Sequence, residues 1–198
     1  MRKWRTGAGD SVPTIGVLAL QGDFREHLRM LGEIGTDPIP VRTPVELAAV
    51  HALVIPGGES TTIGKLADRF GLIEPLRDRI RGGMPVYGTC AGMIFLSSAV
   101  TEGEQHLLGV LDAVVQRNAF GRQNESFEED LDVAGLDTPF RAVFIRAPWV
   151  AKLGDEIEVL ATIDSHPVMV RQGSILASSF HPELTDDTRI HRMLVDLL

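Results

Sequence analysis

The alternation of short apolar runs with helical patterns in the first half of the chain constrains the fold most strongly. Continuous apolar runs of this length are typical of strands buried in a parallel sheet. Four such strands are predicted, at 15–20, 38–41, 52–55 and 84–88. Their alternation with helices predicts an α/β fold, with a mostly parallel sheet covered by helices on both faces in three layers.

Helix-start signals lie between these strands. Asp23 is predicted to cap a helix that continues to about Ile34. Thr43 and Glu46 flank a proline in the pattern of a capping box, which predicts one or two helical turns. Further helices are predicted from about Thr61 and over 73–81.

The second half of the chain has strand patterns with little helix between them. These patterns predict an antiparallel extension of the sheet or a meander attached to it. The strand candidates are 108–115, 140–145, 156–163, 168–171 and 175–178. Asp186 or Asp187 is predicted to cap a final helix, with Ile190 and Leu194 on its inner face.

Domain organisation and localisation follow from simple features of the chain. No internal repeat or linker favours two domains, so 14–198 is predicted to be a single domain after a flexible extension at 1–13. Basic residues near the start are not followed by the apolar stretch of a signal peptide. No run approaches the roughly 18 apolar residues of a membrane span. We expect a cytoplasmic protein that does not bind a membrane.

Composition excludes several classes of function. The 198 residues carry a net charge of −8, so the chain lacks the basic field that non-specific nucleic-acid binding requires. Cys90 is the only cysteine, which excludes an intrachain disulfide and a cysteine-rich zinc site. A chain with one cysteine suits a reducing compartment.

Gly88, Cys90 and Gly92 form a G-x-C-x-G motif directly after a predicted buried strand. This is the thiol counterpart of a nucleophile elbow, where a sharp strand-to-helix turn brings the flanking residues close together. Glycines at both flanks remove Cβ atoms that would clash, and the N–H of Ala91 can face a developing oxyanion. A buried structural cysteine in a glycine-rich turn is the alternative reading of this motif.

A thiol nucleophile needs a base and a residue that orients the base. His181 and Glu183 flank a proline that favours an extended backbone, so Glu183 can bond one imidazole nitrogen and leave the other for Cys90. A surface turn with a solvated histidine is the alternative. His166 also precedes a proline, but no carboxylate follows it. No catalytic role is assigned to His166, nor to His27, His51, His106 and His191.

The turn after the third strand, Pro56–Ser60, is rich in glycine but has neither a P-loop nor a dinucleotide-binding pattern. The N–H groups of Gly57 and Gly58 can complete an oxyanion hole, and Glu59 can receive a substrate ammonium. A tight turn capped by Ser60 is an equally good reading of this motif alone. Gln21, this turn and Cys90 all follow strands, where the ligands of parallel sheets collect.

Several motifs together resemble the triad-type glutamine amidotransferases, and more closely the family of glutaminase subunits of pyridoxal 5′-phosphate synthase. The resemblance covers the chain from about Ile15 to its end. The motifs are L-A-L-Q-G at 18–22, P-G-G-E-S-T-T at 56–62, G-T-C-A-G-M at 88–93, R-N-A-F-G-R-Q at 117–123, F-I-R-A-P at 144–148 and H-P-E at 181–183.

The resemblance implies a flavodoxin-like glutamine amidotransferase fold and the hydrolysis of L-glutamine to glutamate and ammonia. It also implies a hetero-oligomer in which the ammonia passes to a synthase subunit that builds pyridoxal 5′-phosphate. No cofactor or metal is expected in this chain. The implied triad is Cys90, His181 and Glu183.

The remaining site residues are carried over from the same resemblance. The implied glutamine-binding residues are Gly57, Gly58, Glu59, Arg117, Ile145 and Arg146. Gly58, Ala91 and Gln21 match positions linked to the oxyanion or to the synthase contact.

Three alternatives to this function stay open. One is an amidotransferase subunit that serves another acceptor, such as the enzyme of the histidine pathway. The second is a catalytically silent regulatory partner, and the third is a cysteine protease or redox sensor of related fold. We expect low glutaminase activity from the chain alone, because an incomplete oxyanion hole would prevent wasteful release of ammonia.

Overall fold

The computed structural model describes residues 12–120 and 126–198. The predicted extension at 1–13 therefore lies outside the described residues except for its last two positions, as does the end of the motif at 117–123. The first half contains the four predicted strands, β1 (Thr14–Leu18), β2 (Asp37–Val41), β3 (Ala52–Ile55) and β4 (Val86–Thr89). Its helices are α1 (Phe24–Glu33), α2 (Pro44–Ala48), α3 (Ser60–Arg69), α4 (Ile73–Arg81) and α5 (Ala91–Leu96).

The second half is mostly strand, as predicted. Its strands are β5 (Ser97–Val100), β6 (Leu111–Gln116), β7 (Ser126–Leu131), β8 (Phe140–Ile145), β9 (Trp149–Leu153), β10 (Glu158–Ile163), β11 (His166–Gln172) and β12 (Ile175–Ser178). A 3₁₀ turn (Pro182–Leu184) and the last helix, α6 (Arg189–Val195), complete the chain.

One seven-stranded sheet organises the fold, in the order β10-β11-β12-β4-β3-β1-β2. The five strands from β12 to β2 are parallel to one another. The strands β10, β11 and β12 pair antiparallel, which confirms the predicted extension of the sheet. Two smaller sheets stand apart from it, one of β5, β6 and β9 and one of β7 and β8.

Apolar side chains form one cluster on each face of the large sheet, because successive residues of a strand point to opposite faces. On β3, Leu53 and Ile55 join the cluster that contains residues of α2, α3, α4 and α5. Ala52 and Val54 join the cluster that contains residues of α1 and α6. Helices therefore cover both faces, and the predicted three-layer α/β class is confirmed.

Strands β5, β7 and β9 were missed by the sequence prediction. The clearest case is β7, whose sequence is S-F-E-E-D-L and whose residues are mostly exposed. Acidic residues are poor strand formers. Arg141 on β8 compensates them, with ion pairs of 3.0 Å to Glu128 and 3.2 Å to Asp130. Cross-strand charge pairing of this kind is invisible in the periodicity of one segment.

Three predicted caps differ from those observed. Asp23 occupies the N-cap position of α1, but its side chain makes no capping hydrogen bond. Glu59, not Ser60, caps α3 and accepts hydrogen bonds from the N–H groups of Thr61 and Thr62. Thr188 is the N-cap residue of α6, although Asp187 accepts a hydrogen bond from a backbone N–H in its first turn.

The capping box at Thr43 and Glu46 is confirmed, with both reciprocal hydrogen bonds present. Over 12–120 and 126–198, no helix is long and apolar enough to cross a membrane.

Candidate active site

Cys90 lies at the junction of β4 and α5, at the carboxyl edge of the parallel sheet. Its backbone has φ 49° and ψ −102°, in the positive-φ region that residues with a side chain rarely adopt. Such strain costs of order 1–3 kcal/mol and clusters at functional sites. The N–H of Cys90 donates a 2.7 Å hydrogen bond to the carbonyl of Ser178, which ties the strained residue to β12.

The two elbow glycines are required by close backbone contacts. A Cβ at Gly88 would lie 2.7 Å from the carbonyl carbon of Gly92, as the predicted approach of the two flanks requires. A Cβ at Gly92 would instead lie 2.1 Å from the carbonyl oxygen of Ile55 on β3. The second glycine is therefore required mainly by the neighbouring strand, a contact that the motif alone did not indicate.

His181 and Glu183 form a buried pair. The Nδ1 atom of His181 lies 2.7 Å from Oε1 of Glu183, and the two residues are 5% and 1% exposed. The backbone of His181 is held by a 2.8 Å hydrogen bond from its N–H to the carbonyl of Val143 on β8. An extended backbone was predicted through Glu183, but Pro182–Leu184 is a 3₁₀ turn. The turn brings the carboxylate back to the ring.

The charge state of His181 follows from these contacts. Burial lowers the pKa of His181, but the side chains of Cys90 and Glu183 outweigh this effect and raise the pKa to about 10. Burial raises the pKa of Glu183, and the contact with His181 opposes that rise. An imidazolium bonded to a carboxylate is the arrangement that these shifts favour at neutral pH.

A cavity of about 320 Å³ opens beside the elbow. Most of the predicted site residues line it: Gln21, Gly58, Glu59, Cys90, Ala91, Arg117, Ile145, Arg146 and His181. Gly57 and Glu183 do not line it and lie against His181 instead. The cavity also has lining residues that the sequence reasoning missed, namely Asp23, Ser60, Ile94 and Asn118.

Backbone strain concentrates around this cavity. Among the described residues, three of the five non-glycine residues with positive φ line it: Cys90, Asn118 and Arg146. A tertiary scaffold has to hold such residues in place. The strain at Cys90 is expected of a nucleophile elbow, whereas no sequence pattern indicated the strain at Asn118 and Arg146.

Glu59 is not a free carboxylate. It accepts hydrogen bonds of 3.0 Å from the N–H of Thr61 and 2.7 Å from the N–H of Thr62, and it lies 3.5 Å from Nη2 of Arg117. Burial acts to raise the pKa of Glu59, but the hydrogen bonds from Thr62 and Thr61 lower it to about 2. Glu59 therefore keeps its charge while its side chain caps α3.

Gln21 joins the loop after β1 to the loop after β3. Its Oε1 atom accepts a 2.7 Å hydrogen bond from the N–H of Glu59. A Cβ at Gly58, where φ is +149°, would lie 2.4 Å from the same oxygen. A Cβ at Gly57 would lie 2.4 Å from Cε1 of His181, so this glycine makes room for the catalytic candidate.

Two histidines without a predicted role lie directly behind the His181–Glu183 pair. His27 on α1 places Nε2 at 3.4 Å from Oε2 of Glu183, and its Nδ1 lies 2.8 Å from Nε2 of His191 on α6. Both rings are fully buried. No role was predicted for them because neither is followed two residues later by a carboxylate, as His181 is by Glu183. Their positions on the inner faces of two amphipathic helices were the available signal.

Asp23, His181 and Glu183 are the one group of described residues whose ligand atoms lie close enough to hold a metal ion, within 4.8 Å of one another. His181 Nδ1 lies 3.9 Å from the Asp23 carboxylate and already bonds Glu183. The hydrogen-bonded pair accounts for this cluster without a metal.

The sheet order, the strained cysteine elbow and the buried His–Glu pair are those expected of a triad-type glutamine amidotransferase. The chain belongs to the SNO glutamine amidotransferase family, whose model matches residues 17–198.

Individual relatives agree with this family. A Frankia alni protein called pyridoxal 5′-phosphate synthase subunit PdxT is 59% identical over 191 residues, which cover 95% of this chain and 96% of the relative. A protein of the same name from a Nocardioides species is 57% identical over 195 residues, covering 95% and 97%. A crystal structure described as a glutamine amidotransferase superposes with a TM-score of 0.89 at 55% identity, covering 92% of this chain and 97% of the other.

Proposed function

We propose that this chain hydrolyses L-glutamine to L-glutamate and ammonia, and that it supplies the ammonia to the synthase subunit of pyridoxal 5′-phosphate synthase. The observation that carries the chemistry is the buried 2.7 Å pair of His181 and Glu183 at the cavity that holds Cys90. The relatives named as subunits of that synthase support the choice of pathway. Membership of a glutamine amidotransferase family supports the choice of substrate.

In the first step, the thiolate of Cys90 attacks the carboxamide carbon of glutamine, and the carbonyl oxygen becomes an oxyanion. The N–H groups of Ala91 and Gly58 are the donors proposed to face it, and both residues line the cavity. As the C–N bond breaks, the His181 imidazolium gives its proton to the departing nitrogen. Ammonia leaves, and glutamate remains as a thioester on the sulfur.

In the second step, neutral His181 takes a proton from water, and the resulting hydroxide attacks the thioester carbon. The C–S bond breaks, glutamate leaves, and the thiolate and imidazolium are restored. Glu183 accepts the Nδ1–H of His181 throughout, so the ring keeps Nε2 for the reacting groups. The carboxylate also stabilises the imidazolium form, as its effect on the pKa of His181 indicates.

The charged residues of the cavity suit the amino-acid end of glutamine. A guanidinium from Arg117 or Arg146 is proposed to bind the α-carboxylate, because its planar donors match a carboxylate. Glu59 stays ionised and half exposed, so it can face the α-ammonium while its oxygens cap α3. Ile145 and Gly57 complete the proposed binding set. A cavity of about 320 Å³ is at the small end of ligand sites, which suits one amino acid.

Dependence on the partner is part of the proposal. The side chain of Gln21 accepts a hydrogen bond from the N–H of Glu59 and so links the loops after β1 and β3. Docking of the synthase subunit against Gln21 is proposed to set the position of Gly58 and thereby complete the oxyanion site. A hetero-oligomer in the cytoplasm is the proposed setting, and the single cysteine suits that reducing compartment.

The decisive experiment measures glutamate release by the free chain and by the chain with its synthase subunit. We expect low activity alone and a marked increase in the complex, together with pyridoxal 5′-phosphate formed from glutamine as nitrogen source. Equal rates with and without the partner would contradict partner activation. Glutamine hydrolysis that never supports pyridoxal 5′-phosphate formation would contradict the proposed pathway.

The nucleophile and base are tested in the same complex. Cys90→Ala and His181→Gln should each lower kcat by about 10⁴-fold or more. Catalytic residues that act as a unit lose most of their effect when any one of them is removed. His166→Gln is the matched control, since His166 also precedes a proline but stacks on Trp149 with centroids 3.6 Å apart. Normal turnover by Cys90→Ala would contradict the assignment of the nucleophile.

A further inference from the structure

We infer that His27 is a positioning residue for the glutaminase reaction: it holds the Glu183 carboxylate in the orientation that bonds His181, and His191 sets the ring form of His27. The catalytic part of this inference rests on the proposed function. The contacts among the four side chains do not depend on that proposal. The four side chains form one buried line, from His191 through His27 and Glu183 to His181.

The first observation is an unpaired oxygen. Oε1 of Glu183 bonds His181, whereas Oε2 is buried and has no hydrogen-bond partner among the described residues. A buried carboxylate oxygen without a donor is strongly unfavourable. His27 Nε2 faces this oxygen at 3.4 Å, which a small shift of either side chain would shorten to a hydrogen bond.

The second observation concerns the proton positions in the two rings. If His27 carries its proton on Nε2, that N–H faces Glu183, and its Nδ1 accepts from His191 Nε2–H at 2.8 Å. Only the Nδ1 lone pair of His191 is then unpaired. In the opposite arrangement, a His27 lone pair would face the carboxylate and a buried N–H of His191 would lack an acceptor. Orphaned buried N–H groups are rare, so the first arrangement is favoured.

The third observation is the charge of the line. Burial lowers the pKa of His27 well below its usual value, and the neighbouring His191 and His181 lower it further. Burial also lowers the pKa of His191 to about 4, with a smaller effect from Arg29. Both rings are therefore neutral at pH 7. A neutral His27 can donate one hydrogen bond to Glu183 without competing with His181 for its negative charge.

The surroundings of His27 contain one other polar candidate. Thr89 on β4 shares a 3.3 Å hydrogen bond with His27 Nε2 through its Oγ1, so its hydroxyl competes with Glu183 to accept the N–H of His27. The ring of His191 is edge-on to Tyr87, with centroids 6.2 Å apart. The other polar and charged groups near the line are Thr89, Tyr87, Arg29, Asp23 and Cys90. The proposal requires Glu183 to be the acceptor.

The test compares two His27 variants in the complete synthase complex. His27→Phe keeps a ring but removes the donor, and it should lower kcat by roughly 10–100-fold, as loss of an orienting outer partner does elsewhere. KM for glutamine should change little, because His27 does not line the cavity. His27→Gln can place an amide N–H near the former Nε2, and it should recover most of the lost kcat. Wild-type kcat in His27→Phe would overturn the inference, and so would His27→Gln as slow as His27→Phe.

Thr89→Val separates the two possible acceptors. It removes the hydroxyl with almost no change in shape, so kcat should remain close to wild type if Glu183 is the acceptor. A loss as large as that of His27→Phe would overturn the inference in favour of Thr89. Ser97→Ala, which removes another buried hydroxyl at the end of α5, controls for general loss of stability.

Nitrogen NMR of histidine-labelled protein gives a readout that needs no activity. At pH 7 we expect His27 to be neutral with its proton on Nε2. The signals of His27 are those that are absent from the spectrum of His27→Gln. A proton on Nδ1, or a charged ring, would overturn the inference even if His27→Phe failed to fold. A wild-type complex without glutaminase activity would contradict the proposed function instead, and the NMR result would still decide the ring form.

Discussion

The two sides of the Glu183 carboxylate differ in a way that explains the site. On the open side, Oε1 bonds His181, which reaches the cavity and Cys90. On the closed side, Oε2 faces His27, which is fully buried and backed by His191. The histidine on the open side has a pKa raised to about 10, whereas the pKa of the one on the closed side is lowered.

Two histidines beside one carboxylate thus differ in their favoured form, with His181 as the imidazolium and His27 as the neutral ring. One buried negative charge can balance one positive charge, and the contacts with Glu183 and Cys90 place it at His181. A second cation at His27 would be repelled by the first and would also lose its hydration. The comparison shows that burial and neighbouring groups, and not residue type, set the pKa of each ring.

The largest expected effect comes from removing the charge that the two sides share. Glu183→Gln should lower kcat by about 10⁴-fold, as amide replacement of the orienting carboxylate does in serine proteases, where the wrong ring form results. The pKa of His181 should fall, which NMR titration would detect. Glu129→Gln, at an exposed acid on β7, is the control. Wild-type turnover by Glu183→Gln would break the comparison by making the carboxylate dispensable.

A smaller loss of kcat is expected from a substitution that crowds His181 on the open side and leaves His27 untouched. Gly57→Ala places a Cβ within 2.4 Å of His181 Cε1, so the ring must move. A misplacement of about 1 Å can cost about 10²-fold in rate. The His27 and His191 NMR signals should stay unchanged. Gly32→Ala is the matched control, because its Cβ would meet nothing closer than 3.9 Å. Equal kcat in both variants would show that the space beside His181 is not limiting.

The smallest effect is a pair of opposite pH dependences of stability. The folded-state pKa of His181 is raised from 6.5 to about 10, so its contribution is complete below pH 6.5 and is lost as the pH rises toward 10. The folded-state pKa of His191 is lowered from 6.5 to about 4, so the unfolded chain binds more protons between these values. Stability should therefore fall on acidification, by roughly 2 kcal/mol between about pH 6.5 and 5.

Urea unfolding across this pH range measures both slopes. His191→Gln keeps an amide donor but cannot titrate, so its stability should fall less on acidification than that of the wild type. His181→Gln should lose the alkaline slope and keep the acidic one. An acidic slope that is unchanged in His191→Gln would show that the closed side is not kept neutral by burial.

Local patterns predicted most of the fold because they reflect local physics. Apolar runs such as Ala52–Ile55 identify buried strands, since such a segment can bury both faces only inside a sheet. The acidic strand β7 escaped prediction because its pairing with β8, where Arg141 contacts Glu128 and Asp130, is not visible in its own residues. The capping role of Asp23 was predicted from the N-cap preference of aspartate alone. In the structure its side chain makes no capping hydrogen bond and lies 3.9 Å from His181.

The sequence by itself determined the chemistry-bearing residues that are close along the chain. The elbow around Cys90 and the pair of His181 and Glu183 are visible because their geometry depends on backbone turns of a few residues. Only the tertiary structure decided what lies behind them. His27 and His191 are 164 residues apart and meet behind Glu183 only because α1 and α6 pack on the same face of the sheet. Spacing along the chain does not indicate such a contact, because it forms only when helices that are distant in sequence pack together.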